Sequence, residues 1–272
     1  MRTDPFTGVC YELKAGQYIT LFVRNAVFPT LSSLRFDITF LGEQLFFGDL
    51  LNGYLPYQGW SLTILDSAFH ELGRYTWQQC QVTRVSFPDL ENASASIVSL
   101  SVELFLTGLT EGSQEAQATA SSAQISSRKD PVAVFGFRFL ADGLEDVEWS
   151  VSKIAAFSIG LNIHENLVVS VSPEAYADPF RDWLRDGNQP KSASLDFLGA
   201  DLRSSFRMKL MSLQVISVNP PLTTFGPGPA TVQLSYGAMS FELTASGSPV
   251  HAVPVKHKPK FLTGLGGSRR GL

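Results

Sequence analysis

Ile97-Val98-Ser99-Leu100-Ser101-Val102-Glu103-Leu104 alternates apolar and polar side chains from Val98 onward. A strand sends successive side chains to opposite faces, so the stretch predicts a β-strand with one face on a core and one toward water. Further along the chain, Ala133 to Phe139 and Phe157 to Ile163 are rich in β-branched and aromatic residues and read as further strands. The best helix signal is Asp178 to Arg185. Asp178 is expected as its N-cap, Pro179 at N1 and Gly187 just past its end, with Phe180, Trp183 and Leu184 on one face. Phe47, Leu50 and Leu51 keep the same spacing, with Gly48 weakening a helix there. The pattern predicts a mainly β chain built of barrels or sandwiches, each with one short helix.

The chain also repeats its pattern. A shift of 133 carries Phe47–Gly53 onto Phe180–Asp186, then Leu62, Ile64 and Leu65 onto Leu195, Phe197 and Leu198. It next carries Cys80, Val82, Val85 and Pro88 onto Leu213, Val215, Val218 and Pro221. One inserted residue later, Val98, Leu100 and Val102 meet Val232, Leu234 and Tyr236. One offset covering helix-like and strand-like segments points to an internal duplication. The expected organisation is a first β domain over 1–110, a Ser/Ala/Gln/Thr linker over 111–130, a second β domain over 131–243 and a tail over 244–272.

The 272 residues are 44% hydrophobic and 17% charged, enough for a substantial core and against wholesale disorder. No run of 18 apolar residues offers a helical membrane span, and the opening shows no secretory h-region, which predicts cytosolic synthesis. The net charge of −4 hides a tail that carries five basic side chains and no acidic one: Lys256, Lys258, Lys260, Arg269 and Arg270. The acidic body has no basic stripe with aromatics, which argues against sequence-specific nucleic-acid binding. The tail is a candidate arm for an acidic neighbour in an assembly.

Catalytic signatures do not emerge. P-loop, HExxH, CxxC and nucleophile-elbow patterns do not occur, and His70, His164, His251 and His257 are scattered. Asp182 and Asp186 fall on one side of the short helix, where paired carboxylates are usually a solvated face. His70 reads as part of a turn between strands, and Cys10 and Cys80 read as core packing. Asn92-Ala93-Ser94 spells a glycosylation sequon without a secretory context. Neither a metal nor another cofactor is expected, and an enzyme is not.

Several stretches resemble the tube proteins of contractile phage tails and related injection machines, whose fold is shared by the haemolysin-coregulated protein of type VI secretion. They include Phe137 to Leu144 with its Asp-Gly turn, Val147 to Val151, and Phe180 to Leu184 followed by Ala193 to Leu198. In the first half they are Ser61 to Asp66, Trp77 to Val85, and Phe87 to Ser94 with the alternating strand after it. Two copies, and Pro220 to Pro229 in place of an Asp-rich loop, depart from the family's single-domain pattern. The resemblance implies two tandem tail-tube-like domains in a structural, non-enzymatic subunit. Three chains would close a pseudo-sixfold hollow ring, a homotrimer stacked on neighbouring tube, hub or baseplate rings, with a sheath as a further neighbour.

DNA or an effector would pass through the lumen without sequence-specific binding, and the protein would reside in a virion tail or injection particle after assembly in host cytoplasm. A baseplate hub, tube-initiator or adaptor ring is the alternative within this class, and a two-domain β-barrel binding module is the alternative outside it. Ring closure requires exposed strand edges to pair. The edges are expected at Val98, Leu100, Val102 and Leu104 in the first unit and at Val232, Leu234 and Tyr236 in the second.

Overall fold

The computed structural model describes residues 10–16, 19–39, 49–51, 55, 58–92, 99–112, 136–160, 163–199, 203–220 and 228–243. Most of the expected linker, the basic tail residues Lys256, Lys258, Lys260, Arg269 and Arg270, and Val98 lie outside them. The fold is mainly β. The first half contributes β1 (Cys10–Ala15), β2 (Ile19–Thr30), β3 (Ser33–Thr39), β4 (Trp60–Leu65), β5 (Glu71–Trp77), β6 (Gln79–Phe87), β7 (Leu90–Glu91), β8 (Ser99–Thr107) and β9 (Thr110–Gly112). The second contributes β10 (Gly136–Ala141), β11 (Val151–Ile154), β12 (Phe157–Gly160), β13 (Ile163–His164), β14 (Leu167–Val171), helix α1 (Asp178–Arg185), β15 (Lys191–Leu198), β16 (Ser204–Asn219), β17 (Ala230–Ser235) and β18 (Ala238–Leu243).

All pairings are antiparallel, and they form two sheets. In the first, β5 and β6 run on from each other through Gln78, whose N–H donates to Thr107 O and whose O accepts from Gly59 N–H. β4 pairs with β5 and β8 pairs with β6, while the early residues of β2 pair with β1 and its later ones with β3. The circuit β1-β2-β3-β8-β6/β5-β4 therefore returns to β1, leaving no edge on that path. The second half repeats the circuit as β10-β15-β16-β17-β14-β11 and stops, because 3-10 and turn residues 145–150 stand where a strand would join β11 to β10.

The correspondence between halves holds at the level of register. Adding 133 turns Trp60↔Trp77 into Ala193↔Leu210 and Ile64↔Gly73 into Phe197↔Phe206. The irregularity between Ile64 and Leu65 recurs between Phe197 and Leu198, and that between Val82 and Arg84 recurs between Val215 and Ser217. Adding 133 also carries Leu34 of β3 to Leu167 of β14, and their partners are Leu104 and Leu234. The returning strand thus shifts by 130, not by the expected 134: Val102 and Leu104 match Val232 and Leu234. The turn before β17 is three residues shorter than the one before β8.

α1 spans Asp178–Arg185 with Pro179 in its first turn and Gly187 at φ 94° beyond its end. Asp178 is not the cap. Ala177 occupies that position after a 3-10 turn, and the Asp178 carboxylate accepts from Arg181 at 2.6 Å instead. Phe180 and Trp183 are buried, whereas Leu184 is 39% exposed and so leaves the expected apolar face. In the first half residues 49–51 are helical, with Leu50 and Leu51 buried. The buried side chains of both halves join in one hydrophobic cluster running from Leu13 to Phe241.

Candidate functional site

The two halves are joined by strand pairing within the chain. β12 leaves the second half after Ala155 and Ala156 and pairs with the outer side of β6, matching Phe157 with Phe87, Ile159 with Val85 and Gly160 with Arg84. Gly160 is required there, because a Cβ at that position would overlap the Thr83 carbonyl oxygen. In return the first half sends β7 into the gap between β11 and β10. Leu90 and Glu91 pair with Ile154 and Lys153.

Asn92 spans the rest of the gap. Its backbone N–H donates to Ser152 O, its Nδ2 to Val151 O at 2.8 Å, and its Oδ1 accepts from Phe137 N–H of β10 at 2.7 Å. Gly136 leaves room for that oxygen, which a Cβ would meet at 3.2 Å. The side chain thus replaces a stretch of missing ladder, and its engagement leaves the sequon asparagine no open amide for a glycan.

Asn92→Ala strands the Phe137 N–H and the Val151 C=O, at about 1–3 kcal/mol for each buried group left unmatched. Chemical denaturation is expected to show a loss of about 2–6 kcal/mol for the two groups together, with Asn92→Asp intermediate because it keeps the acceptor. A change under about 0.5 kcal/mol in the alanine variant would contradict the bridging role.

Aromatic packing reinforces the joint. Phe87, the last residue of β6, stacks on Phe157 at 4.6 Å with planes 5° apart and lies 6.4 Å from Phe197 and 6.3 Å from Phe241. It is therefore a first-half side chain in a second-half aromatic cluster. At the rim Lys153 Nζ reaches Asp89 at 2.6 Å and Glu91 at 3.2 Å, and Ala156 N–H donates to Asp89. The Lys153 hydrogen bond, followed by that from Ala156, holds the Asp89 carboxyl below its usual range. Hydrogen bonds to Asp89 and Glu91 push Lys153 up. These exposed pairs contribute orientation more than energy.

Strand pairing does join the halves, but not at the expected strands. β8 lies between β3 and β6, and Leu100, Val102 and Leu104 are buried. β17 lies between β14 and β16 with Val232 and Leu234 buried, and Tyr236 follows its end half-buried. None of these six belongs to an open edge; the alternation that suggested one reports a covered face, which a central strand shows equally well. Among the described residues the strands that have a stretch paired on one side only include β9, β13, β18, β7 and β10 at the ends of the eight-stranded sheet, the later part of β2 and the later part of β16.

The other polar side chains that the sequence singled out serve structural roles. Asp182 and Asp186 are exposed and pair with Arg185. Asp66 closes the β4–β5 turn by accepting from the N–H groups of Ala68 and His70, which places His70 in that turn. Burial pushes the Cys80 thiol up to about 12, so it packs rather than reacts.

Reading the sequence alone missed one cluster: Arg138, fully buried Asp196 and Arg207 lie side by side across β10, β15 and β16. Both Asp196 oxygens accept, from Arg207 Nε at 2.5 Å and from Arg138 Nη2 at 2.8 Å, and Glu148 pairs with Arg138 at 3.1 Å. The bond to Asp196 is the main cause that raises Arg207 further. With both oxygens engaged by guanidinium donors, Asp196 ties β10, β15 and β16 together across the sheet. No group of three or more His, Cys, Asp or Glu among the described residues could hold a metal, and no described helix is long and apolar enough to cross a membrane. A depression of about 400 Å³ beside Thr30, Ser33, Arg84 and Glu103 lies outside the filled barrel interior.

No family model matches the sequence, and no curated protein does either. Among solved structures the chain is similar to the Hcp1 protein of the E. coli EAEC 042 pathovar, at 17% identity over 45% of this chain and 79% of that one, with a TM-score of 0.28. It is also similar to Hcp1 from Salmonella typhimurium, at 13% identity over 61% of this chain and 90% of that one, with a TM-score of 0.27.

Proposed function

We propose that the chain is a structural subunit of a phage tail or contractile injection tube, in which two tandem barrel modules, duplicated from one ancestor, assemble as a hollow ring around a channel. The observation that carries this reading is the edge-to-edge joint between two modules of matching register. A module that docks on the edge of its like can repeat the step, and repetition with rotation closes a ring. The sequence resemblance to tail-tube proteins sets the count at six modules, hence three chains in pseudo-sixfold symmetry. The module boundaries are 1–110 and 131–243, although β7 and β12 cross between them.

The unlike charges on equivalent positions favour an adaptor or hub over a tube wall repeated along its length. Arg138, Asp196 and Arg207 stand where the first half has Glu12, Thr63 and Arg74. Such a ring offers threefold contacts to one neighbour and near-sixfold contacts to another. The basic tail would dock on an acidic neighbour. Native mass measurement and negative-stain microscopy test the ring: the expected particle is an annulus of three times the 29.7 kDa chain mass. A chain that stays single at every concentration would refute it.

A further inference from the structure

We infer that such a ring has two chemically different joints, and that the joint between chains is made where the outer edge of β16 at Ile216–Asn219 receives the β2–β3 hairpin tip of a second copy of this chain. The inference rests on the ring reading above. The register equivalence carries β6 residues Arg84 to Ser86, which accept β12, onto Ser217 to Asn219 of β16. That part of β16 pairs with β17 on one side and with no described strand on the other. Asn188 occupies the backbone of Val215 on the open side, donating to its O and accepting from its N–H, so the available edge starts at Ile216. Ile216 stands where the first half has Thr83 and is 44% exposed.

The same equivalence identifies the donor. β11 and β14 correspond to β2 and β3, so the β12–β13 arm of the second half corresponds to the β2–β3 tip. That tip carries Leu31, 89% exposed, and Val27, 44% exposed. Single exposed apolar residues are ordinary. Here Leu31 and Val27 stand on the arm and Ile216 on the edge that a repeated joint would bring together, and this makes a second copy the occupant.

The joint between chains cannot copy the internal one in full. Ten residues separate Val23 from Leu34 in the first arm, against fifteen between Val151 and Leu167 in the second, so the first arm reaches less far. The slot that β7 fills in the second half is closed in the first by the pairs Tyr11↔Val23 to Ala15↔Ile19. Pro220 replaces Phe87, and the turn after it is three residues shorter. The joint therefore lacks both the inserted strand and the aromatic plug, and rings should open between chains first.

The test uses the full chain with Cys10→Ser and the pair Leu31→Cys and Ile216→Cys; Cys80 stays, since burial keeps its thiol protonated. A short bis-maleimide is expected to give cross-linked species up to a closed trimer. In a separate chain, Leu31→Asp should raise the concentration needed for rings at least a hundredfold with unchanged far-UV circular dichroism. Rings that form without cross-linking, or that survive Leu31→Asp at unchanged concentration, overturn this joint and leave the ring reading intact. An unaltered chain that never forms rings overturns both.

Discussion

Phe87→Ala is expected to destabilise the protein by about 3–5 kcal/mol and to lower its thermal midpoint by roughly 6–20 °C. The side chain is 2% exposed, and its ring partners Phe157, Phe197 and Phe241 all belong to the other half. Truncation leaves a cavity whose walls are strand-borne aromatics, which cannot collapse without moving β12 and β15. Because both halves share this cluster, the variant should also separate what is otherwise one cooperative transition into two. Calorimetry of the two proteins checks both effects. A midpoint within about 2 °C of the unaltered chain, still as one transition, would mean the halves do not depend on this contact.

The parts of this fold that could be read from the sequence are those that local physics decides. Alternation announced β8, and Pro179 with Gly187 marked α1 within its true bounds. The shift of 133 was legible over β4 to β6 because Leu62, Ile64, Val82 and Val85 have apolar counterparts in order. The returning strand was misplaced by four residues because alternation survives any even slip; only the pairs Leu34↔Leu104 and Leu167↔Leu234 fix it. Asp178 looked like a cap and became a partner for Arg181, a competition between two local bonds that spacing does not resolve. The exchange of β7 and β12 left almost no local trace. Gly160 was its one possible sign, since a glycine inside a β-rich run can mark close approach of another backbone.

Gly160→Val provides the sharpest test of that exchange. At Gly160 an added Cβ would crowd Thr83 and Arg84, lying 2.9 Å from the Thr83 carbonyl carbon and 3.0 Å from Arg84 Cα. These are backbone atoms of β6, so no rotamer change relieves the overlap, and β12 must lift away. The ladder from Phe157↔Phe87 to Gly160↔Arg84 is lost with it. Overpacking of this kind costs about 1–3 kcal/mol, and exposing the pairing edge of β6 adds to it. Gly73→Val is a matched control for added bulk, since its Cβ would meet only Ile64 Cδ1 at 4.0 Å on the far side of the same barrel. Amide exchange should accelerate at Val85 and Phe157 at least tenfold in the Gly160 variant, with Leu62 and Val169 unchanged, because each half keeps its own ladders. Equal protection across β6 and β12 in both proteins would show that the close approach is not what holds the halves together. Under the proposed ring reading, the intact approach supplies two modules that are already joined, so the first closure step carries no association entropy. Gly160→Val should then abolish annular particles at concentrations where Gly73→Val still forms them.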